Sequence, residues 1–124
     1  MSTSKPSRVV AVVEDDPAAR IALGRLLTAG GFEPVLFESA EAYLDMLPDV
    51  LCIVLDVRLP GMSGIELQQR LNAATTAPPI IVTTASREAV IRTRAEQNGC
   101  AGFFWKPVDG NTLIATITSL TDKP

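Results

Sequence analysis

Five side chains in this sequence stand at the ends of short apolar runs and could do chemistry together. Glu14 and Asp15 follow Val9–Val13, Asp56 follows Leu51–Leu55, Thr84 closes Ile80–Thr84, and Lys106 follows Phe103–Trp105. Asp16, next in the acidic run, is better placed as a helix cap before Pro17, which leaves Glu14, Asp15 and Asp56 as the site acids. Three carboxylates brought close together repel one another unless a cation neutralises them. An all-oxygen donor set without His or Cys suits Mg²⁺ or Mn²⁺ rather than zinc. A divalent ion and the Lys106 ammonium would balance the three carboxylates, leaving a pocket near neutrality that can accept a phosphoryl group. A carboxylate nucleophile beside such an ion and a lysine is a workable phosphoryl-transfer site, because that chemistry needs mainly positioning and charge neutralisation.

Each residue also has a plainer role. Asp56 alone caps a turn as readily as it does chemistry, Lys106 alone is a solvated charge, Thr84 an ordinary strand residue, and Glu14 or Asp15 an exposed acid. Complementary groups at four strand ends together are hard to attribute to turn chemistry.

Composition narrows the alternatives. The chain has 124 residues, 47% of them apolar, which suits one compact domain with one hydrophobic core. Its net charge is -3, and no Lys/Arg stripe stands ready to neutralise a row of phosphates, so direct nucleic-acid binding by this chain is not expected. The absence of histidine excludes a histidine base and His-ligated haem or iron. Cys52 and Cys100 lie far apart in apolar or small-residue surroundings and read as reduced, packed thiols. No run reaches the length of a membrane helix, and Met1–Pro6 is polar, so a soluble cytosolic protein without a membrane partner is expected.

The elements that must position these groups alternate. The runs Val9–Val13, Leu51–Leu55, Ile80–Thr84 and Phe103–Trp105 are nearly continuous in apolar residues, as in parallel strands buried on both faces. Glu33–Phe37, with Pro34, suits an edge strand. Between them, Asp16-Pro17 opens a first helix with Ile21 and Leu27 inward, stopped by Gly30-Gly31. A short second helix follows Ser39 through Ala40, Tyr43, Leu44 and Leu47. Ser63 and Glu66 make a capping box for a third that ends near Thr75. Ser86 is placed to cap a fourth running to Asn98, thinly packed because only Ala89, Val90, Ile91 and Ala95 are apolar. Asp109 caps a fifth whose buried stripe is Leu113, Ile114, Ile117 and Leu120. Strict alternation predicts right-handed crossovers and a three-layer α/β domain, with ligands gathered at the carboxyl ends of the strands.

Taken together, Glu14-Asp15-Asp16-Pro17, the run from Leu55-Asp56 through Pro60-Gly61-Met62-Ser63-Gly64, Thr84-Ala85 and Lys106-Pro107 resemble the receiver domains of two-component response regulators. The resemblance spans roughly residues 7 to 121 of a single receiver domain, 1–124. The stretch from Phe37 to Leu44 and the Met-Ser-Gly turn are most similar to FixJ-type regulators. That likeness implies a single doubly wound (βα)5, flavodoxin-like domain, its parallel five-stranded sheet in the order 2-1-3-4-5. It implies that Asp56 accepts a phosphoryl group from a sensor histidine kinase or phosphotransfer protein, and that the domain catalyses only its own phosphotransfer and slow autodephosphorylation. Asp15 and Asp56 would hold Mg²⁺ directly, Glu14 through water, and the backbone carbonyl of Arg58 would complete the protein ligands. Lys106 and Thr84 would each meet a phosphoryl oxygen, and Phe103 occupies the aromatic switch position. A cis bond at Lys106-Pro107 is expected on the same ground.

The sequence departs from some relatives in having Phe103 rather than tyrosine, so any switch there works through packing and ring position. Trp105 reads either as core, the preferred reading, or as an exposed partner contact. The output surface, for a partner or for a receiver dimer, is expected on the fourth helix, fifth strand and fifth helix, with Arg87, Arg92, Gln97 and Trp105 as contacts. A flavodoxin-type electron carrier fits poorly, since Glu14-Asp15-Asp16 repels a mononucleotide phosphate. No GxxxxGK[ST] occurs for a P-loop enzyme, and Arg58 stands where an aspartate-nucleophile phosphatase of another fold would want a second acid. A degenerate receiver serving only as a phosphorylation-independent binding scaffold would have lost an acid or the lysine, and all are present.

Overall fold

The computed structural model describes residues 8–74 and 77–121. Five strands alternate with five helices: β1 (Val9–Val13), α1 (Pro17–Ala29), β2 (Glu33–Phe37), α2 (Ala40–Met46), β3 (Cys52–Asp56), α3 (Gly64–Ala73), β4 (Ile80–Thr84), α4 (Ala89–Gln97), β5 (Gly102–Trp105) and α5 (Gly110–Thr121). The strands form one parallel sheet in the order β2-β1-β3-β4-β5. This is the expected flavodoxin-like order, and its reversal places β1 and β3 side by side, with Glu14 and Asp56 at their carboxyl ends.

Alternation along each strand divides the core into two layers. Ala11, Val13, Ile53, Leu55 and Val82 face α2, α3 and α4, where Tyr43, Leu67, Leu71 and Ala95 meet them. Val10, Val12, Val54 and Ile81 face α1 and α5, against Leu27, Leu113 and Ile117.

Local chemistry explains most boundaries. Asp16 accepts Ala19 N–H at the start of α1, Ser39 accepts Ala42 N–H at α2, and Ser63 and Glu66 complete a reciprocal capping box at α3. Leu47 closes α2 in the left-handed region, φ 41, just before Pro48. The last residue of α3 is Ala73, and Thr75, where the sequence placed its end, lies outside the described residues.

Four expectations need correction. β3 is shifted one residue along from the apolar run, to Cys52–Asp56 in place of Leu51–Leu55, because Asp56 pairs with Thr83 and Val57 N–H reaches Thr83 O at 3.0 Å, carrying the ladder into the site. Ile21 is 49% exposed; the inward face of α1 is carried by Gly24 and Leu27, with Leu23 and Leu26 half-buried beside them. Ser86 does not cap α4: its hydroxyl takes Glu88 N–H in a tight turn, so the helix starts at Ala89 with no side-chain cap. Trp105 is half-buried rather than core, for the reason given below.

Candidate functional site

The carboxyl edge of the sheet brings together the five residues singled out from the sequence. Glu14 and Asp56 are nearly fully buried and Asp15 is exposed. One carboxylate oxygen from each lies within 4.8 Å of the other two. Lys106 Nζ donates to Glu14 Oε1 and, at 3.3 Å, to Asp56 Oδ2. Two buried carboxylates thus share one ammonium, and the exposed Asp15 adds a third negative charge with no cation of its own among the described residues. An oxygen-only cluster with surplus negative charge fits a hard divalent cation, and Glu14, Asp15 and Asp56 are the residues that would hold it.

Electrostatics follow from this crowding. Burial pushes the Asp56 carboxyl up to about 6, reinforced by the hydrogen bond and charge of Glu14 and opposed by Lys106 and Arg58 N–H. Burial alone would lower the Lys106 ammonium, but the Glu14 hydrogen bond and the two carboxylate charges outweigh it and raise it. The lysine therefore stays protonated and available to an anion.

The backbone aims these groups. Arg58 N–H turns back to Asp56 Oδ1 at 3.3 Å, so the loop after β3 wraps around the carboxylate. Lys106 N–H meets Thr84 O at 2.8 Å, which ties the lysine to the end of β4, and the Lys106-Pro107 bond is cis, as expected. Thr84 is fully buried and its Oγ1 accepts Ser86 N–H at 3.0 Å, leaving the hydroxyl proton as the donor it can offer to the site.

Two residues that hold the site were not found from the sequence. Arg20, one turn into α1, donates through Nη1 to the carbonyls of Glu14 at 2.9 Å and Asp15 at 3.2 Å, fixing the acidic loop by its backbone. Glu41 accepts Met62 N–H at 2.9 Å from across the site's other rim. Both act through space on main-chain atoms, and nothing in the spacing of charges along the chain marks such bonds.

On the neighbouring face, Trp105 is covered by cations rather than by core. Arg87 and Arg92 lie 5.1 and 5.2 Å from its ring centroid, and Phe103 meets it edge-on at 5.6 Å. Arg92 also stands 5.6 Å from the Phe103 ring. Three of the four residues expected on the output surface are thereby joined in one cluster between α4 and β5, while Gln97 sits exposed at the far end of α4.

Comparison with known proteins agrees with this geometry. A family model described as the response regulator receiver domain matches residues 10–118. The sequence is 39% identical over 110 residues to the transcriptional regulatory protein FixJ of Bradyrhizobium diazoefficiens, covering 87% of this chain and 54% of that protein. It is 38% identical over 117 residues to nodulation protein W of the same organism, covering 93% of this chain and 52% of that protein. The chain spans about half the length of these curated relatives. A crystal structure of FixJ-N superposes with a TM-score of 0.84 at 30% identity, covering 99% of this chain and 98% of that one.

Proposed function

This chain belongs to the response regulator receiver domain family, FixJ-type, and on that premise we propose that Asp56 is its phosphoacceptor. The observation that carries the assignment is the convergence of Asp56 with Lys106 at 3.3 Å and with the Glu14 and Asp15 carboxylates at the point where the strand order reverses. In the transfer, an Asp56 oxygen forms a bond to phosphorus as the donor's phosphorus–nitrogen bond breaks, and the departing imidazole of the donor takes a proton. Asp15, Asp56, the Arg58 carbonyl and Glu14 would hold Mg²⁺, or Mn²⁺ in its place, and such an ion would supply charge neutralisation. Lys106 moves its ammonium from the carboxylates to a phosphoryl oxygen, and Thr84 donates its hydroxyl proton to another. The domain is not an enzyme acting on other substrates; it carries out its own phosphorylation and slow dephosphorylation.

The donor is a sensor histidine kinase or a phosphotransfer protein. An apolar cleft lined by Ala19, Leu23, Leu26, Pro107 and Val108 opens beside Glu14 and Lys106, and supports docking of the donor along α1. Output, to a partner or a second receiver, uses α4, β5 and α5, where the Arg87–Arg92–Trp105–Phe103 cluster lies two strands from Asp56. We take residues 1–124 as a single receiver module working in the cytoplasm; among the described residues no helix is long and apolar enough to cross a membrane. Metal-dependent labelling by a small phosphodonor, read by intact mass, tests the assignment: one phosphoryl group on wild type and none on Asp56→Asn supports it, and equal labelling overturns it.

A further inference from the structure

We propose that Glu41 is a positioning residue for phosphoryl transfer, holding from α2 the loop that leads from Asp56 to α3; the inference rests on the assignment of Asp56 above. That loop carries Arg58, whose N–H meets Asp56 Oδ1 and whose carbonyl is assigned to the metal. Its two ends are fixed locally. Val57 N–H bonds Thr83 O at 3.0 Å, Gly64 N–H bonds Val57 O at 2.9 Å, and Ser63 N–H bonds Glu66 Oε1 at 3.1 Å. Between them, among the described residues, the hydrogen bonds and ion pairs from other elements are two: the exposed pair of Arg58 with Glu88 at 3.5 Å, and Met62 N–H to Glu41 Oε2 at 2.9 Å. An exposed ion pair of that kind holds little. The Met62 bond is exposed too, but it is directional and fixes a main-chain atom of the loop.

The loop is shaped to receive this carboxylate. Gly61 has φ +73, and a Cβ there would come within 2.5 Å of Glu41 Oε2. The space that a side chain would fill at Gly61 is the space the carboxylate occupies. On the other side, Glu41 stands on a firm base. α2 is capped by Ser39, its neighbours Ala40 and Tyr43 are buried, and Phe37 meets Tyr43 edge-on at 5.4 Å. The bond from Met62, with that from its own backbone, holds the Glu41 carboxyl below its ordinary value, so it remains an ionised acceptor at neutral pH. Because Ser39 already caps α2, the reach of Glu41 across to Met62 is not needed to start the helix.

A purely local role is the competing explanation, since an acid in the first turn also favours a helix through its dipole. Substitutions separate the two. Glu41→Gln keeps an acceptor oxygen at the same reach and loses the charge, whereas Glu41→Asp keeps the charge and falls a methylene short. The half-saturating Mg²⁺ concentration is read from amide chemical shifts, the labelling rate of Asp56 with acetyl phosphate by intact mass, and the Met62 amide by hydrogen exchange. We expect Glu41→Ala and Glu41→Asp to weaken Mg²⁺ binding about threefold, less than the roughly tenfold or more that loss of a group bonded directly to a metal ligand costs, because Glu41 acts on the ligand loop through Met62. Both should expose the Met62 amide to exchange, and Glu41→Gln should restore most of the loss. Wild-type metal affinity and labelling in Glu41→Asp, or a Glu41→Gln as impaired as Glu41→Ala, would overturn the proposal. If the wild type itself takes no phosphoryl group on Asp56, the functional assignment fails, and the proposal with it.

Discussion

The ammonium of Lys106 lies 3.3 Å from Oδ2 of Asp56, a carboxylate 50 residues away in the chain and two strands away in the sheet. In the absence of a phosphoryl group the lysine acts as a resident counter-ion, occupying with Glu14 and Asp56 the negative charge that a divalent cation would also seek. The two cations therefore compete. Replacing Lys106 with Met should tighten Mg²⁺ binding severalfold, by removing the competitor, yet slow phosphoryl transfer, by removing the partner of the incoming oxygens. Amide-shift titration with Mg²⁺ and acetyl phosphate labelling, run on the same variant, check the two opposite signs.

Stability should depend on pH through Asp56. Its carboxyl is raised from 3.8 to about 6, chiefly by burial, so its favourable contribution is present below about pH 4 and lost as pH rises through about 6. Above that, the folded protein holds a buried carboxylate that the unfolded chain would solvate. Asp56→Asn should stabilise the metal-free protein at pH 7.5 by about 1–2 kcal/mol, discounted for partial solvent access, and show no gain at pH 4. Thermal unfolding at the two pH values measures this. Added Mg²⁺ should stabilise the wild type at pH 7.5 more than the variant.

The fourth helix should respond most easily. Its only fully buried residue is Ala95, and its N-terminus has no side-chain cap. At the other end it is pinned to α3, where Gln68 Nε2 donates to Ala95 O at 3.0 Å and Asn72 Nδ2 to Asn98 O. Hydrogen exchange should therefore be fastest at the N-terminal turn of α4 and slowest near Cys100, whose N–H is bonded to Ala95 O. Gln68→Ala, which removes the buried donor while Cys100 N–H still satisfies Ala95 O, should cost about 1 kcal/mol and flatten that gradient.

Transmission from the site should run through Thr84. Its hydroxyl already holds Ser86 N–H, so a shift of the hydroxyl toward a phosphoryl oxygen pulls the loop that enters α4. Thr84→Ala should leave Asp56 open to labelling while weakening amide shifts across residues 86 to 105 when a beryllofluoride mimic is bound. Shifts across that segment equal to those of the wild type would place the coupling elsewhere.

Much of this was legible in the sequence because each feature is encoded locally. Continuous apolar runs marked the strands, and Asp16, Ser39 and Ser63 marked helix starts through bonds three residues on. The acids and the lysine stood at strand ends, where the fold class alone brings them together. Ser86 misled because a hydroxyl before a helical pattern serves equally in a turn, and here it turns the chain before α4 begins. Ile21 misled because a sparse apolar stripe leaves the rotation of a helix uncertain, and the small Gly24 against Leu36 settled it instead. Arg20 and Glu41 left no signal, since each binds main-chain atoms whose positions depend on the finished fold.

The measurement that bears most directly on the whole account is the intact mass of the protein after incubation with acetyl phosphate, with and without Mg²⁺, for wild type and Asp56→Asn. One added phosphoryl group, labile to acid and base, is expected in the wild type with Mg²⁺ and in neither protein without it. Asp56→Asn labelled as fully as the wild type, or labelling indifferent to Mg²⁺, would contradict it.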